Sequence, residues 1–462
     1  MVKKIKEDSP RVKELKHQAR RRSIKEGIFA SVKNSFGDYY ISPFAIAINM
    51  SNSLIVLLSS ISGLLGPLSQ MFSSRLIEKY SRKKIILRAV FFESLMWFPL
   101  IAIAILFYKG ILVNTLPFLL LFSFALYIII ANIGSPAWFS WMGDIIDEKY
   151  RGRWFSKRNL ILGFVSVILA VSASFFLDYF KKNNWTMFGF IILFSLAFLG
   201  RLNSWKCFRK QYEPKIKLEK SYYFSFWSFL INAPKNNFGK FTIFKALLNF
   251  TCTISSPLLA IYLLRNLNFS YTTYMIIVFS GTVFSLLVLE LWGKFADRYG
   301  NYKTLCLTCV LIPLIPILWI LSSLPIYFIL VPSIVSGLSW AGFNLAAGNF
   351  IYDNVSQQKR GLAVSYYNLL GGIGIFLGAS LGAFLIKFLT TSFVEPIFLI
   401  FIIGSVARMI VVFFLLPKIK EVRKTSRFNG SKSLKNIVFN QVKPTFLEGA
   451  HQIMSIKKYI IK

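Results

Sequence analysis

GKFADRYGNYK, residues Gly293–Lys303, sits between two long apolar runs, and a stretch of the same make-up, SRLIEKYSRKK at Ser74–Lys84, sits between two others. An offset of 219 positions carries Glu78 onto Asp297, Lys79 onto Arg298, Tyr80 onto Tyr299 and Lys84 onto Lys303, so acid, base, aromatic and base keep register. A second pair repeats at an offset of 209: Arg151, Gly152, Ser156 and Asn159 return as Arg360, Gly361, Ser365 and Asn368. Two loop pairs repeating in step with the apolar runs around them argue for an internal duplication.

The runs themselves set the fold class. Of 462 residues, 55% are hydrophobic and 16% charged, a balance that excludes an ordinary soluble fold. Apolar segments run approximately over residues 28–49, 54–76, 85–107, 116–142, 160–177 and 187–199, and then over 241–264, 273–291, 304–321, 326–350, 364–388 and 396–416. Most approach or exceed the ~20 residues a helix needs to cross a bilayer, whereas a spanning strand needs ~10 and would alternate in polarity. The expectation is an all-α membrane protein of twelve transmembrane helices in two pseudo-symmetric six-helix bundles. The bundles would occupy residues 28–199 and 241–416, with a linker at 200–240 and basic tails at 1–27 and 417–462. Within the linker, YYFSFWSF at Tyr222–Phe229, beside Lys220 and Lys235, suits a short helix lying in the headgroup layer.

Lys and Arg total 54 against 19 Asp and Glu, and in a soluble chain a charge of +35 would point to nucleic acid. Here 44 of the 54 fall on one set of loops and tails, and four on the opposite loops. The positive-inside rule accounts for that asymmetry, places both termini in the cytoplasm of a cell with this chain in its cytoplasmic membrane, and removes the case for a nucleic-acid partner. The polar, basic N-terminus lacks the apolar core of a cleaved signal peptide. Cys207, Cys252, Cys306 and Cys309 form no disulfide framework; the C-x-x-C of the last two lies inside an apolar run and reads as helix packing. His17 and His451 lie in the tails, so a His-based metal site inside the membrane has no ligands, and no cofactor or metal is expected. No cluster of His, Cys or carboxylates suggests a membrane-embedded enzyme.

The chemistry of the repeated loop suits a helix end that grips a neighbour and releases it. Gly293 would permit close backbone approach, Asp297 would accept from free N–H groups at an adjacent helix N-terminus, and Gly300 would supply the tight turn. Arg298 and Lys303 would reach phosphates or partner carboxylates. GKFADRYGNYK resembles the signature loop of the major facilitator superfamily of secondary transporters, G-x-x-x-D-R-x-G-x-x-K/R. The first copy departs from it, with Ser74 and Ser81 in place of glycines and Glu78 in place of Asp. Span five carries no G-x-x-x-G-P-x-x-G-G pattern of the drug/proton antiporter branch.

That resemblance, over about residues 25–416, implies two bundles rocking about a central site lined by spans one, four, seven and ten. It implies a latch built from Glu78, Arg82, Gly293, Asp297, Arg298, Gly300 and Lys303, with Arg151 or Arg360 as partners. The candidate lining residues are Asn34, Asp38, Tyr39 and Tyr40 on span one; Asn132, Ser135, Trp138 and Trp141 on span four; Asn249, Thr253 and Ser256 on span seven; and Ser336, Trp340 and Asn344 on span ten. Spans four and ten carry no base, which favours a neutral, zwitterionic or cationic organic solute. Gly374, Gly378 and Gly382 on span eleven have the spacing of close helix packing, and Arg408 in span twelve reads as snorkelling or paired within a bundle.

Asp38, Glu93 and Glu290 are the carboxylates well inside the runs. Asp38 lies ten residues into span one, ~15 Å deep at ~1.5 Å per residue, and is the first candidate for coupling or substrate binding. Glu93, at ~12 Å, is the second. The competing structural role for Asp38 is a pair with Arg88 or with Lys33, five positions earlier and poorly placed on one helix face. The expected function is a secondary transporter of a small organic solute, monomeric and proton-coupled, with an uncoupled facilitator and a non-transporting receptor as the alternatives.

Overall fold

The structure is a computed structural model that describes residues 9–147, 151–214, 225–389, 395–423 and 425–426; side chains at 74, 75, 78, 151–153, 357, 358, 360 and 361 fall outside the description. Among the described residues every regular element is a helix: α1 Pro10–Phe36, α2 Ile41–Ala47, α3 Asn52–Lys79, α4 Arg82–Leu95, α5 Trp97–Tyr108, α6 Leu116–Ile133, α7 Ser135–Ile145, α8 Arg151–Lys182 and α9 Thr186–Arg209. After the linker helix α10 Phe226–Asn232 come α11 Asn237–Ser255, α12 Leu258–Ile261, α13 Tyr271–Tyr299, α14 Asn301–Leu311, α15 Leu314–Leu318, α16 Pro325–Asn354, α17 Gln357–Phe388 and α18 Pro396–Leu415. Among the described residues, eleven stretches are long and apolar enough to cross a membrane. The twelfth is span one, α1 with α2, which is too charged and too broken at Gly37 to count by composition.

Several spans are built of two helices, and the breaks have local causes. Met96 joins α4 to α5 just before Pro99, Gly134 joins α6 to α7 just before Pro136, and Pro257 and Pro313 open α12 and α15. Proline removes an intrahelical N–H and crowds the preceding turn, so the ladder is interrupted where these residues fall. At the other end of the scale, α1 runs far back into the basic N-terminus. Ser9 caps it, its side chain accepting from the Val12 N–H at 3.4 Å, and Pro10 occupies the first helical position, where a missing N–H costs nothing.

The chain packs as two compact units that cut across the two sequence halves. One comprises Met1–Ser221, Thr253–Ile276 and Tyr367–Ile400; the other comprises Tyr222–Cys252, Ile277–Tyr366 and Phe401–Lys462. The first unit holds a cluster of tilted and edge-on aromatics: Phe44 lies 5.1 Å from both Phe190 and Phe194, and Trp97 lies 5.3 Å from Tyr127 and 5.6 Å from Phe194. Opposite the basic loops, contacts inside this unit tie helices of the two sequence halves together. Ser60 on α3 hydrogen-bonds Ser380 on α17 at 2.8 Å, and Gly372 packs on the Gly63 carbonyl with no room for a Cβ. The Asp178 carboxylate on α8 accepts from the Tyr271 and Thr272 N–H groups at 2.8 Å each, capping α13. Arg265 donates to the Met50 carbonyl at 2.9 Å and to Asn52. Gly382 likewise abuts the Ile254 carbonyl.

In the second unit Phe241 stacks on Phe350 at 4.7 Å, and Phe328 and Phe343 are fully buried. The linker helix α10 is amphipathic, with Phe229 buried while Trp227 and Ile231 are 70% and 67% exposed. Tyr222–Phe224 of the aromatic stretch lie outside the described residues.

Gly300 is the residue of the repeated loop that the backbone demands. Its φ is +97° with ψ 160°, a region essentially closed to other residues, and a Cβ there would run into the Glu421 carboxylate. Gly300→Ala is expected to cost ~1–3 kcal/mol, read as a lower apparent melting temperature in detergent, and an unchanged value would refute the conformational argument. Gly293 behaves otherwise: nothing lies within 4 Å of the position its Cβ would take, so the close approach expected of it is not made.

Candidate functional site

Six ionisable side chains and a tyrosine form a continuous network inside the first unit. Span one would put Lys33 and Asp38 about 140° apart if it were an unbroken helix. It is broken: at Gly37, with φ −116° and ψ −80°, α1 gives way to a single tight turn over Asp38–Tyr40, and the carboxylate swings back onto Lys33. Lys33 Nζ lies 2.9 Å from Asp38 Oδ2, so the pairing disfavoured on helix geometry is made because the helix ends. Lys33 also meets Glu93 Oε1 at 3.3 Å and donates to the Tyr127 hydroxyl at 3.1 Å, while that hydroxyl donates to Asp38.

Beyond Glu93 the network continues on residues that hydropathy assigns to basic loops. Arg201 Nη2 lies 2.6 Å from Glu93 Oε2, and its other nitrogen lies 3.7 Å from Glu26 Oε1. Glu26 in turn meets Arg158 Nη2 at 3.2 Å and accepts from Ser204 at 2.9 Å. The Arg158 guanidinium sits 4.8 Å from the centre of the Trp138 ring. Glu26, Arg158 and Arg201 are site residues that the sequence reading missed. Span one reaches back to Pro10, span five begins at Arg151 and span six runs on to Arg209, so all three are helical and packed rather than free in loops. The available signal was register: Glu26 lies seven residues before Lys33, on the same helix face.

Three acids face three bases, which makes the network formally neutral, the condition under which buried charges are tolerated. A cavity of about 430 Å³ borders one end, lined among others by Lys33, Asp38, Ser62, Glu93, Tyr127 and Asn132. Another, of about 230 Å³, borders the other end beside Glu26, Ser135, Trp138 and Arg158. Glu93, Arg201 and Ala131 line both and so form the wall between them. Asp38 keeps 31% of its side chain exposed, against 2% for Glu93 and 4% for Glu26. Of the three acids, Asp38 is the most exposed.

The other candidates divide. Asn132 accepts from Gln70 at 2.9 Å on the cavity wall. Tyr40 is fully buried and bonds the Ala170 carbonyl at 2.7 Å, and Trp141 bonds the Tyr212 carbonyl at 2.9 Å; both are core. Asn34 is half-buried, and Tyr39 is 37% exposed. In the second unit Asn249, Ser336 and Trp340 are half-buried and Asn344 is exposed, while Ser256, in the first unit, is also exposed. Thr253 donates to the Ile375 carbonyl at 3.2 Å.

The loop residues are also distributed unevenly. Arg82 is buried and clasps Asp144 at 2.6 Å, with further bonds to Ser140 and the Pro214 carbonyl, tying the start of α4 to the end of α7. Asp297 is 81% exposed and approaches Arg423 at 4.0 Å; the Arg423 guanidinium makes its closer pair, 2.9 Å, with Asp353. Asp353 also accepts from Asn301 at 2.7 Å. Arg298 stacks on Tyr299, and Lys303 donates to the Ser426 carbonyl at 2.9 Å. Carboxylates cap helix N-termini at Asp178 on α13, at Glu213, which accepts from the Lys83 N–H of α4 at 3.1 Å, and at Glu421, which accepts from the Tyr302 N–H of α14 at 2.8 Å. The side chains of Glu78, Arg151 and Arg360 lie outside the described residues.

The profile of the Major Facilitator Superfamily matches residues 28–252 and 241–454, which together span most of the chain. The chain belongs to the major facilitator superfamily. Solved structures of the same fold include the nucleoside transporter NupG, with a TM-score of 0.62, 15% identity and coverage of 87% of this chain and 98% of that one. A bacterial homologue of the iron transporter ferroportin in its inward-facing state has a TM-score of 0.67 and 14% identity, covering 87% and 98%. An auto-inhibited POT family peptide transporter has a TM-score of 0.65 and 12% identity, covering 89% and 99%. No curated protein sequence matches the chain. At such identities the superfamily likeness is one of fold, and the substrates of these relatives do not carry over.

Proposed function

We propose that this superfamily member is a secondary active transporter that moves a small organic solute across the cytoplasmic membrane by alternating access, coupled to protons through Asp38. The observation that carries the reading is the position of that carboxylate: bonded to Lys33 and Tyr127, yet partly open to a 430 Å³ cavity. A proton added at Asp38 removes one negative charge while Lys33 keeps Glu93 at 3.3 Å and Arg201 keeps both Glu93 and Glu26. The network therefore has a stable arrangement in either protonation state, which is what a coupling site requires. Glu93, almost without exposure and holding two cations, acts as the keystone of the network and as the barrier between the cavities. Proton-driven uptake or export by reconstituted protein tests the reading, and transport indifferent to a pH gradient would replace it with an uncoupled facilitator.

The reading also fixes the sides of the membrane. With the basic loops cytoplasmic, Gly110 lies outside and Thr425 inside. In a background lacking the four native cysteines, Gly110→Cys and Thr425→Cys should label from opposite faces with an impermeant maleimide. Labelling of both from one face would overturn the twelve-crossing topology.

A further inference from the structure

The second unit holds a half-buried cation in a spanning helix, Lys245, that no carboxylate among the described residues matches. Lys245 lies eight residues into α11, and its ammonium rests 4.6 Å from the Phe343 ring centre and 5.5 Å from that of Trp340, both on α16. Among the described residues no carboxylate lies within 4 Å of it. Arg408, the other base in this unit's spans, is held by backbone carbonyls instead, those of Cys252 at 3.0 Å and Ile312 at 3.4 Å. The described acids of this unit sit toward the basic loops, where Glu290 pairs with Lys294 and Asp353 with Arg423. The network of the first unit balances three acids against three bases; the second unit presents an ammonium with two aromatic faces and, among the described residues, no carboxylate beside it.

An uncompensated cation at this depth is costly in a bilayer, and two cation–π contacts offset only part of the loss. The surroundings are also not those of a lipid-facing surface. Asn344 is exposed one helical turn from Trp340, and Gly348, one turn further, has open space where a Cβ would be. An exposed amide in a spanning helix implies that this face meets water or a ligand rather than hydrocarbon. The absence of bases from spans four and ten therefore does not leave this face neutral, because Lys245 enters from span seven.

We propose that Lys245, with Trp340 and Phe343, is a binding site for the carboxylate of an organic monoanion whose apolar or aromatic body lies along the α16 face. A single ammonium matches a single negative charge; a phosphate dianion would leave one charge unmatched in the same place. The aromatic rings that shelter the empty cation offer stacking area to the body of the solute once the ammonium turns to the carboxylate. The inference rests on the transport reading only in calling the ligand a substrate.

The test is equilibrium binding to the purified full-length protein in nanodiscs at fixed pH and without a gradient, so its outcome is independent of coupling at Asp38. The probes are indole-3-acetate and benzoate, with indole-3-acetamide and benzamide as neutral partners, read by thermal shift and isothermal calorimetry. The acids should bind and the amides should bind at least tenfold more weakly. Lys245→Gln should weaken the acids by roughly 10- to 100-fold, with Lys245→Arg retaining part of the affinity. As a check that needs no variant, acetylation of Lys245 in the wild-type protein, mapped by mass spectrometry, should be suppressed by indole-3-acetate and not by the amide. Equal binding of acids and amides, unchanged affinity in Lys245→Gln, or acetylation unaffected by the acid would each overturn the proposal.

Discussion

Glu93→Gln is expected to lower the apparent melting temperature of the purified protein by roughly 3–5 °C. The substitution preserves the shape of a side chain that is 2% exposed and removes the charge that holds Lys33 at 3.3 Å and Arg201 at 2.6 Å. Removing one partner of a buried pair typically costs ~3–5 kcal/mol, since the cation left behind keeps its desolvation and loses its compensation. Glu26, 3.7 Å from Arg201, can take up part of the freed charge, which argues for the lower end of that range. Adding Arg201→Gln should recover some of the loss, giving the non-additivity expected of groups in one network. A Glu93→Gln protein as stable as the wild type would mean that the pairs contribute nothing to the fold.

Asp38→Asn is expected to act on transport more than on stability. Its neighbour Lys33 retains Glu93, and a side chain already 31% exposed can be rehydrated from the cavity. Accumulation driven by a pH gradient in proteoliposomes should fall at least tenfold, while exchange of labelled for unlabelled solute, which needs no net proton movement, should persist. Full gradient-driven accumulation by the variant would reject Asp38 as the coupling acid. Loss of both accumulation and exchange would assign Asp38 to solute binding instead.

The architecture was legible because it rests on signals longer than any single residue: apolar runs sized to a bilayer, bases gathered on alternate loops, and the GKFADRYGNYK loop with its earlier copy. Asp38 and Glu93 stood out because a carboxylate in such a run is rare. Their partners did not. Arg158 and Arg201 look like topogenic loop bases to any hydropathy reading, since nothing local distinguishes an arginine in the last buried turn from one just beyond it. Tyr127 reads as one more aromatic in an apolar helix until Asp38 and Lys33 are seen to meet at its hydroxyl. The Lys33–Asp38 pair depends on a backbone break at Gly37, and periodicity assumes an unbroken helix. The capping carboxylates at Asp178 and Glu421 had no local signal, because each acts on a helix far from it in sequence: Asp178 on α13 and Glu421 on α14.

Three acids set against three bases also have an electrical consequence. A membrane potential acts on net charge, at ~2.3 kcal/mol per elementary charge for each 100 mV. As long as Asp38 is ionised, Glu26, Asp38 and Glu93 cancel Lys33, Arg158 and Arg201, so the field exerts no net pull on this cluster as the protein rearranges. Once Asp38 carries a proton the same cluster is a monocation, and its displacement becomes work done with or against the field. Voltage would then act on this cluster only at the step at which the proton rides on it.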